Sequence, residues 1–377
     1  MYISKPGAAP SDSLVTQVTA TPPVARAVPV DTAPALGAPP DPGLPARRYG
    51  LVSIVVPTHN DEANIGPLLT RLLEEDGVGE VLVVASECAD GTVAAVLEVA
   101  ASAGDRIRLY VEPSRSGKAA AVNFGVGETT LPIVVVVSGD VLIEPGAIEF
   151  LAEALCRPGV GLAGGRPVPV NDPDAPVGHA VHLLWRLHHR LALHQPKLGE
   201  MIALRSDAVV ALPPTSVDEA CFQALLEPAG WVSAYVPEAV VRNRGPGSVA
   251  DFVKQRRQVH AGHLWLRRRQ RYTVPSLHPR LLLRELWHDL TEDSERLRPK
   301  RLVWTAGAVG MEAWARLMAR LDYLRGRENH VWAMVESAKA PALDADWVDA
   351  GGGELLEVAG LASAPADQRH DQHQLPL

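Results

Sequence analysis

The chain has 377 residues, 47% hydrophobic and 21% charged, with a net charge of -8. That length holds one large domain or two small ones around a sizeable core, and the acidic balance gives no reason to expect a nucleic-acid partner. Three cysteines, Cys88, Cys156 and Cys221, are odd in number and lack C-x-x-C spacing, which argues against a disulfide framework or zinc site and fits a reducing cytosol.

Residues 1–49 are rich in Ala, Pro, Thr and Val, and Pro or polar residues interrupt every apolar run. A secretory signal is therefore not expected, and the segment reads as a disordered tail. From Val52 the pattern becomes regular. Strands are predicted at 52–57, 80–85, 107–112 and 133–138, with helices between them at 61–75, 90–103 and 118–128. Asn60 is the expected cap of the first helix, with Asp61 and Glu62 facing the positive end of its dipole. Strands alternating with helices of this length imply βαβ units and a mostly parallel sheet flanked by helices.

The run Val134-Val135-Val136-Val137 has no polar alternation, so it reads as a strand buried on both faces, ending in Ser138-Gly139-Asp140. Residues 141–143 and Glu144-Pro145-Gly146 read as a short turn into the next helix, at 147–155. A strand at 161–165, a helix at 179–194 and a strand at 200–205 follow. A helix at 218–228 and two short strands at 231–236 and 239–242 complete the alternating region. Beyond Ser248 the pattern is helical. The divisions expected are a catalytic domain over 50–270, a helical extension over 271–340 and a flexible tail over 341–377. His370 and His373 in that tail read as solvated.

A carboxylate at the end of a parallel strand lies where open α/β sheets bind ligands. Asp140 there suits a divalent cation, and the cation suits a nucleotide diphosphate; the plainer alternative is a helix-capping Asp. Pro57-Thr58-His59-Asn60 can face a base or ribose, or can be only a turn and a cap. Asp90-Gly91 is also an ordinary turn signal. Ser116-Gly117-Lys118 lacks the spacing and the Ser or Thr of a phosphate loop, and no G-x-G-x-x-G follows the first strand. Both a P-loop kinase and a dinucleotide-dependent dehydrogenase are thereby disfavoured. Lys118 can still neutralise a diphosphate. Cys88 reads as a small filler rather than a nucleophile.

Over residues 51–270 the chain resembles the family-2 glycosyltransferases of the glycosyltransferase-A fold. The resemblance rests on the 52–62 segment, Asp90-Gly91-Thr92, Gly117-Lys118-Ala119-Ala120-Ala121-Val122-Asn123 and Ser138-Gly139-Asp140. It implies Pro57, Thr58, Asn60, Glu62, Asp90, Lys118 and Asn123 as donor-site residues and Asp140 as ligand of Mg2+ or Mn2+. One departure stands out: the family's acidic pair around a small residue is reduced here to Ser138-Gly139-Asp140. The resemblance also makes Asp218 or Glu219 the base that deprotonates the acceptor, although two carboxylates at a helix start need no function.

Gln255-Arg256-Arg257 resembles the family's Gln-Arg-Arg segment, with Gln258-Val259 in place of its usual Arg-Trp. It implies contact with the departing nucleotide, and the loss of Trp weakens a processive reading. His260, three residues from His263 on one helix face, is a candidate to complete the metal site. The implied activity is inverting, metal-dependent transfer from a UDP- or GDP-sugar to a glycan or lipid-linked acceptor. A non-catalytic nucleotide-sugar-binding or scaffold protein is the rival, and a nucleotidyltransferase a weaker one.

Arg267, Arg268, Arg269 and Arg271 read as a solvated basic face or a contact for anionic lipid. The 302–324 helix is apolar but carries Glu312, Arg316 and Arg320 on one stripe. It is expected either to pack on the domain or to lie in a membrane interface. The location implied is cytoplasmic, with the inner membrane face as a candidate site.

Overall fold

The computed structural model describes residues 51–327, 331 and 335–341. The predicted tails, apart from Pro341, lie outside the described residues. The first half alternates β1 (Val52–Thr58), α1 (Glu62–Glu74), β2 (Val78–Ser86), α2 (Thr92–Ala103), β3 (Ile107–Glu112), α3 (Lys118–Gly127) and β4 (Ile133–Val137). Then come β5 (Val141–Ile143), α4 (Ala147–Leu155), β6 (Val160–Pro169), α5 (Pro176–His194) and β7 (Met201–Arg205). The remainder is α6 (Asp218–Leu226), β8 (Val232–Asn243), α7 (Val249–Gln270), α8 (Pro279–Glu292) and α9 (Pro299–Leu324).

One sheet runs β3-β2-β1-β4-β7-β6-β8-β5. The β3-β2-β1-β4 half is wholly parallel, as the apolar runs predict. Every residue of β4 is buried. Ile65, Leu68, Leu69 and Leu72 of α1 are fully buried, each contributing about 1.5–3 kcal/mol of hydrophobic stabilisation. Helix α3 approaches β1 closely: a Cβ on Gly125 would lie 2.5 Å from Val55 Cγ1.

The other half of the sheet is mixed, a refinement of the predicted mostly parallel arrangement. β7 runs antiparallel to both β4 and β6, β8 is parallel to β6, and β5 is antiparallel to β8. Residues 141–143, predicted as a turn, form β5 because pairing with β8 buries all three side chains. The two short strands predicted near 231–242 are one strand. Its pairing with β6 is interrupted between Gly164 and Arg166, so Pro237 is spared a ladder hydrogen bond that it cannot donate.

Helices α5, α7, α8 and α9 are fastened by buried charges. Asp289 of α8 accepts Arg186 Nε and Nη2 at 2.8 and 3.1 Å, and Glu285 takes Arg190 Nε at 3.2 Å. Arg256 of α7 binds Glu312 of α9 at 2.9 Å. The charged stripe of α9 is split between the two sides of the helix, with Arg320 exposed. Glu312 is turned inward and Arg316 is partly covered, while Val303, Val309, Trp314, Leu317 and Leu324 are exposed. Small inward residues, Ala308, Ala315 and Ala319, let the helix pack closely. Among the described residues no helix is long and apolar enough to cross a membrane.

Candidate active site

The loops after β1, β2 and β4 open on a cavity of about 430 Å³. At the end of β4, Gly139 N donates to Pro57 O at 3.2 Å. A Cβ on Gly139 would lie 2.6 Å from Thr58 Oγ1 and 2.9 Å from Asp61 Oδ2, so glycine is what lets the β1 and β4 loops meet. Asp140 follows, lining the cavity with a side chain 31% exposed.

Beside it stands Asp61, which the sequence suggested only as a first-turn residue. Helix α1 begins after it, and Asn60 is not the cap but a left-handed residue at φ 54°. Asn60 Oδ1 accepts from Ala89 N at 2.8 Å and joins the first two loops. Asp61 Oδ2 accepts from Thr58 Oγ1 at 2.8 Å and His59 N at 3.0 Å. Its other oxygen lies 2.5 Å from Lys339 Nζ, which is also 3.4 Å from Asp140 Oδ2. Burial and the charge of Asp140 raise the Asp61 pKa, against the opposing pull of Lys339.

Across the cavity, Lys118 at the start of α3 meets the first two residues of α6. Its Nζ lies 3.0 Å from Asp218 Oδ2 and 3.0 Å from Glu219 Oε1. Burial, then repulsion from Glu219, raises the Asp218 pKa. Against its own burial, Glu219 is held below the usual carboxylate range by Lys118. The two neighbours thus differ: Glu219 stays ionised, and Asp218 is shifted toward neutrality, where a general base works best.

Of the predicted residues, Pro57, Thr58, Lys118, Asp140, Asp218, Glu219, Gln255 and Arg256 share this cavity. Four others lie outside its lining: Asn60, which joins the first two loops, and Glu62, Asp90 and Asn123. Glu62 Oε2 accepts from Gly91 N at 2.7 Å, and Asp90 accepts from Glu62 N at 3.2 Å and Thr92 N at 3.0 Å. Asn123 exchanges two 2.8 Å hydrogen bonds with the Leu212 backbone and so holds the segment leading to Asp218. These side chains shape loops rather than face the cavity.

Two expectations place residues where the structure does not. Arg257 points to the other side of α7, into a cavity of about 250 Å³, with Asp322 at 2.5 and 2.7 Å. His260 is buried between α7 and α9, its Nε2 2.7 Å from Glu312 Oε1, and is not brought to Asp140. The 3.6-residue period turns adjacent positions away from each other, which separates Arg256 from Arg257. Among the described residues no cluster of three or more His, Cys, Asp or Glu side chains is arranged to hold a metal. Cys88 is partly buried with its thiol pKa raised by burial, in keeping with a filler.

The fold also adds Arg115, Lys197, Glu200, Arg244 and Lys339 to the lining. Burial and the nearby Asp140 push Glu200 up to about 7, and burial with Arg256 pushes Lys197 down to about 7. Glu200 adopts φ 62° ahead of β7, where Asn243 Nδ2 donates to it at 3.1 Å. Away from these charges the lining turns apolar, with Leu183, Leu184 and Leu187 of α5, Leu282 and Leu286 of α8 and Val309 of α9.

A model of glycosyl transferase family 2 matches residues 53–209. An uncharacterized glycosyltransferase of Mycobacterium bovis is 32% identical over 167 residues, 43% of this chain and 70% of the relative. The chain belongs to glycosyltransferase family 2. An N-acetylglucosaminyltransferase of Sinorhizobium fredii is 23% identical over 54% of this chain, which spans about half, 55%, of that relative's length. In fold, this family-2 chain is similar to a mannosyltransferase from Pyrobaculum calidifontis solved in complex with GDP-Man and Mn2+. The TM-score is 0.55 with 23% identity, over 79% of this chain and 92% of the other.

Proposed function

We propose that the protein transfers a sugar from a nucleotide-diphosphate donor to an acceptor hydroxyl, with inversion at the anomeric carbon and with Mg2+ or Mn2+. The observation that carries this reading is the Lys118–Asp218–Glu219 cluster set in one cavity with Asp140. Asp218 takes the acceptor proton as the acceptor oxygen bonds to the anomeric carbon. The bond from that carbon to the diphosphate breaks, and its electron pair leaves on the diphosphate. Lys118 keeps Glu219 ionised and offers positive charge to the donor. Arg115 and Arg244 add to that charge from the same lining.

The residues present fit a hard cation. Asp140 faces the cavity, a positive group is already drawn to it, and Mg2+ commonly takes only one or two carboxylates besides donor phosphates and water. Bound there, the cation would supply electrostatic stabilisation of the departing diphosphate. The GDP-Man and Mn2+ complex of the Pyrobaculum protein supports the same pairing of nucleotide sugar and metal.

For the acceptor, the apolar end of the cavity favours a lipid-linked molecule over a free glycan. The exposed apolar face of α9 supports docking on a membrane, with the 267–271 arginines meeting anionic headgroups. Release of nucleoside diphosphate from a panel of nucleotide sugars, with a polyprenyl phosphate or an oligosaccharide as acceptor, tests the proposal. Faster release with the lipid is expected. No donor turned over with either acceptor, metal present, would overturn the transferase reading.

A further inference from the structure

We infer that Asp61 and Asp140 together form the cation site, and that Lys339 is its built-in resting occupant. The inference rests on the metal-dependent reading above and assigns it a second ligand and a competitor. Position 138 is a serine, so the β4 loop brings one carboxylate where a pair would hold a dication more firmly. Asp61 makes up the deficit from a different loop. Thr58 Oγ1 and His59 N fix its Oδ2, which leaves Oδ1 aimed at the space beside Asp140. The contact with Gly139 sets the two loops at this spacing.

That a cation belongs there is indicated by the cation already present. Lys339 Nζ lies 2.5 Å from Asp61 Oδ1 and 3.4 Å from Asp140 Oδ2, although Lys339 is 278 residues from Asp61 in the chain. The segment carrying it is tied down along its length. Asn64 Nδ2 donates to Lys339 O at 3.3 Å, Arg244 Nε to Pro341 O at 2.7 Å, and Gly247 N to Ser337 Oγ at 3.1 Å. Ser337 Oγ donates in turn to Asp251 Oδ2 at 2.6 Å. An ammonium and a divalent ion cannot both occupy the space between these carboxylates. Metal entry must therefore expel Lys339 and loosen the 335–341 strap, and an empty site keeps the strap across the Asp140 end of the cavity.

The test is Mn2+ binding in the absence of donor, read by electron paramagnetic resonance of free Mn2+, with thermal unfolding as the control for folding. Asp61→Asn should weaken Mn2+ by about tenfold or more, as loss of a metal-site group does. Lys339→Met should tighten it by a similar factor, and hydrogen exchange at 335–341 should quicken in the wild type when Mn2+ is added. Asp140→Ala separates the two readings. If it weakens Mn2+ while Asp61→Asn and Lys339→Met leave binding unchanged, the paired site is wrong and the metal-dependent reading stands. If Asp140→Ala also changes nothing, the metal reading fails with it. Lys339→Met binding Mn2+ no more tightly than wild type overturns the competition.

Discussion

The sheet half and the helical half of the molecule hold their charges in different ways. Around the ends of β1, β2 and β4, carboxylates are fixed by short-range partners: Asp61 by Thr58 and His59 N, Asp90 by Thr92 and Glu62 N, Glu62 by Gly91 N. Hydroxyl and backbone donors preorganise these loops, and the counter-charge that Asp61 and Asp140 share is the displaceable ammonium of Lys339. Between α5, α7, α8 and α9, carboxylates are matched to guanidinium groups across helices: Asp289 with Arg186, Glu312 with Arg256, Asp322 with Arg257. There the charges are spent on fastening helices. On the proposed function the difference separates the loops that carry the chemistry from the helices that hold their frame, and substitutions should divide the same way.

The largest effect is expected at Asp140, the carboxylate that the sheet half presents to the cavity. Asp140→Ala should cut metal-dependent transfer by roughly 10²-fold or more, the usual scale for losing preorganised transition-state electrostatics, with little change in unfolding temperature. Unaltered transfer at saturating donor would show that Asp140 is not part of the cation site. In the helical half the balance reverses. Asp289→Ala leaves Arg186 and Arg296 without their buried acceptor. It should cost about 2–3 kcal/mol of stability by denaturant titration, below the full range for buried pairs because both arginines are partly exposed. Turnover of the protein that remains folded should be near normal. A large fall in turnover without a stability loss would erase the distinction between the halves.

Glu200 sits at the junction and gives a smaller, pH-dependent effect. Its folded pKa of about 7 lies above the ordinary 4.5. The fold therefore favours the protonated acid, and the contribution is complete below about 4.5 and lost as pH rises through 7. Glu200→Gln should raise the unfolding temperature relative to wild type at pH 8 and leave it nearly unchanged at pH 4.5. An equal difference at both values would mean that Glu200 does not titrate between them. The smallest effect belongs to the outer face of α9. Trp314→Ser should weaken the salt-resistant part of binding to anionic vesicles in a sedimentation assay without changing donor turnover. A wild-type protein that ignores such vesicles at low salt leaves α9 only its packing role.

How much was legible in the sequence follows the same division. The parallel strands announce themselves because burial on both faces makes them continuous apolar runs. Their C-terminal ends then point directly to Thr58, Lys118 and Asp140, and the acidic pair at the start of α6 is equally plain. What stays hidden depends on distant pairing. The three residues of β5 are too few to carry a period, and they become a strand only beside β8. The partner of His260 is 52 residues away on α9, so its helix-face spacing to His263 points to a metal ligand where a buried hydrogen bond to Glu312 stands. Glu312 alone of the charged α9 stripe turns well inward, because one buried Arg–Glu–His contact outweighs the tendency of charge to face water. Lys339 has no local signature at all.

In the proposed mechanism Asp218, shifted toward neutrality beside a Lys118-bound Glu219, takes the acceptor proton. The most direct test is the pH dependence of single-turnover sugar transfer at saturating donor, metal and acceptor, in the wild type, Asp218→Asn and Glu219→Gln. The account predicts a wild-type rate that rises with pH as Asp218 loses its proton and then levels off. Asp218→Asn should lower the rate roughly 10²-fold, the scale of a lost general base, and abolish that rise. Glu219→Gln should keep the rise while moving its midpoint to lower pH, since the repulsion that elevates Asp218 is gone. A wild-type pH profile retained in Asp218→Asn and lost in Glu219→Gln would contradict the assignment and give the role to Glu219.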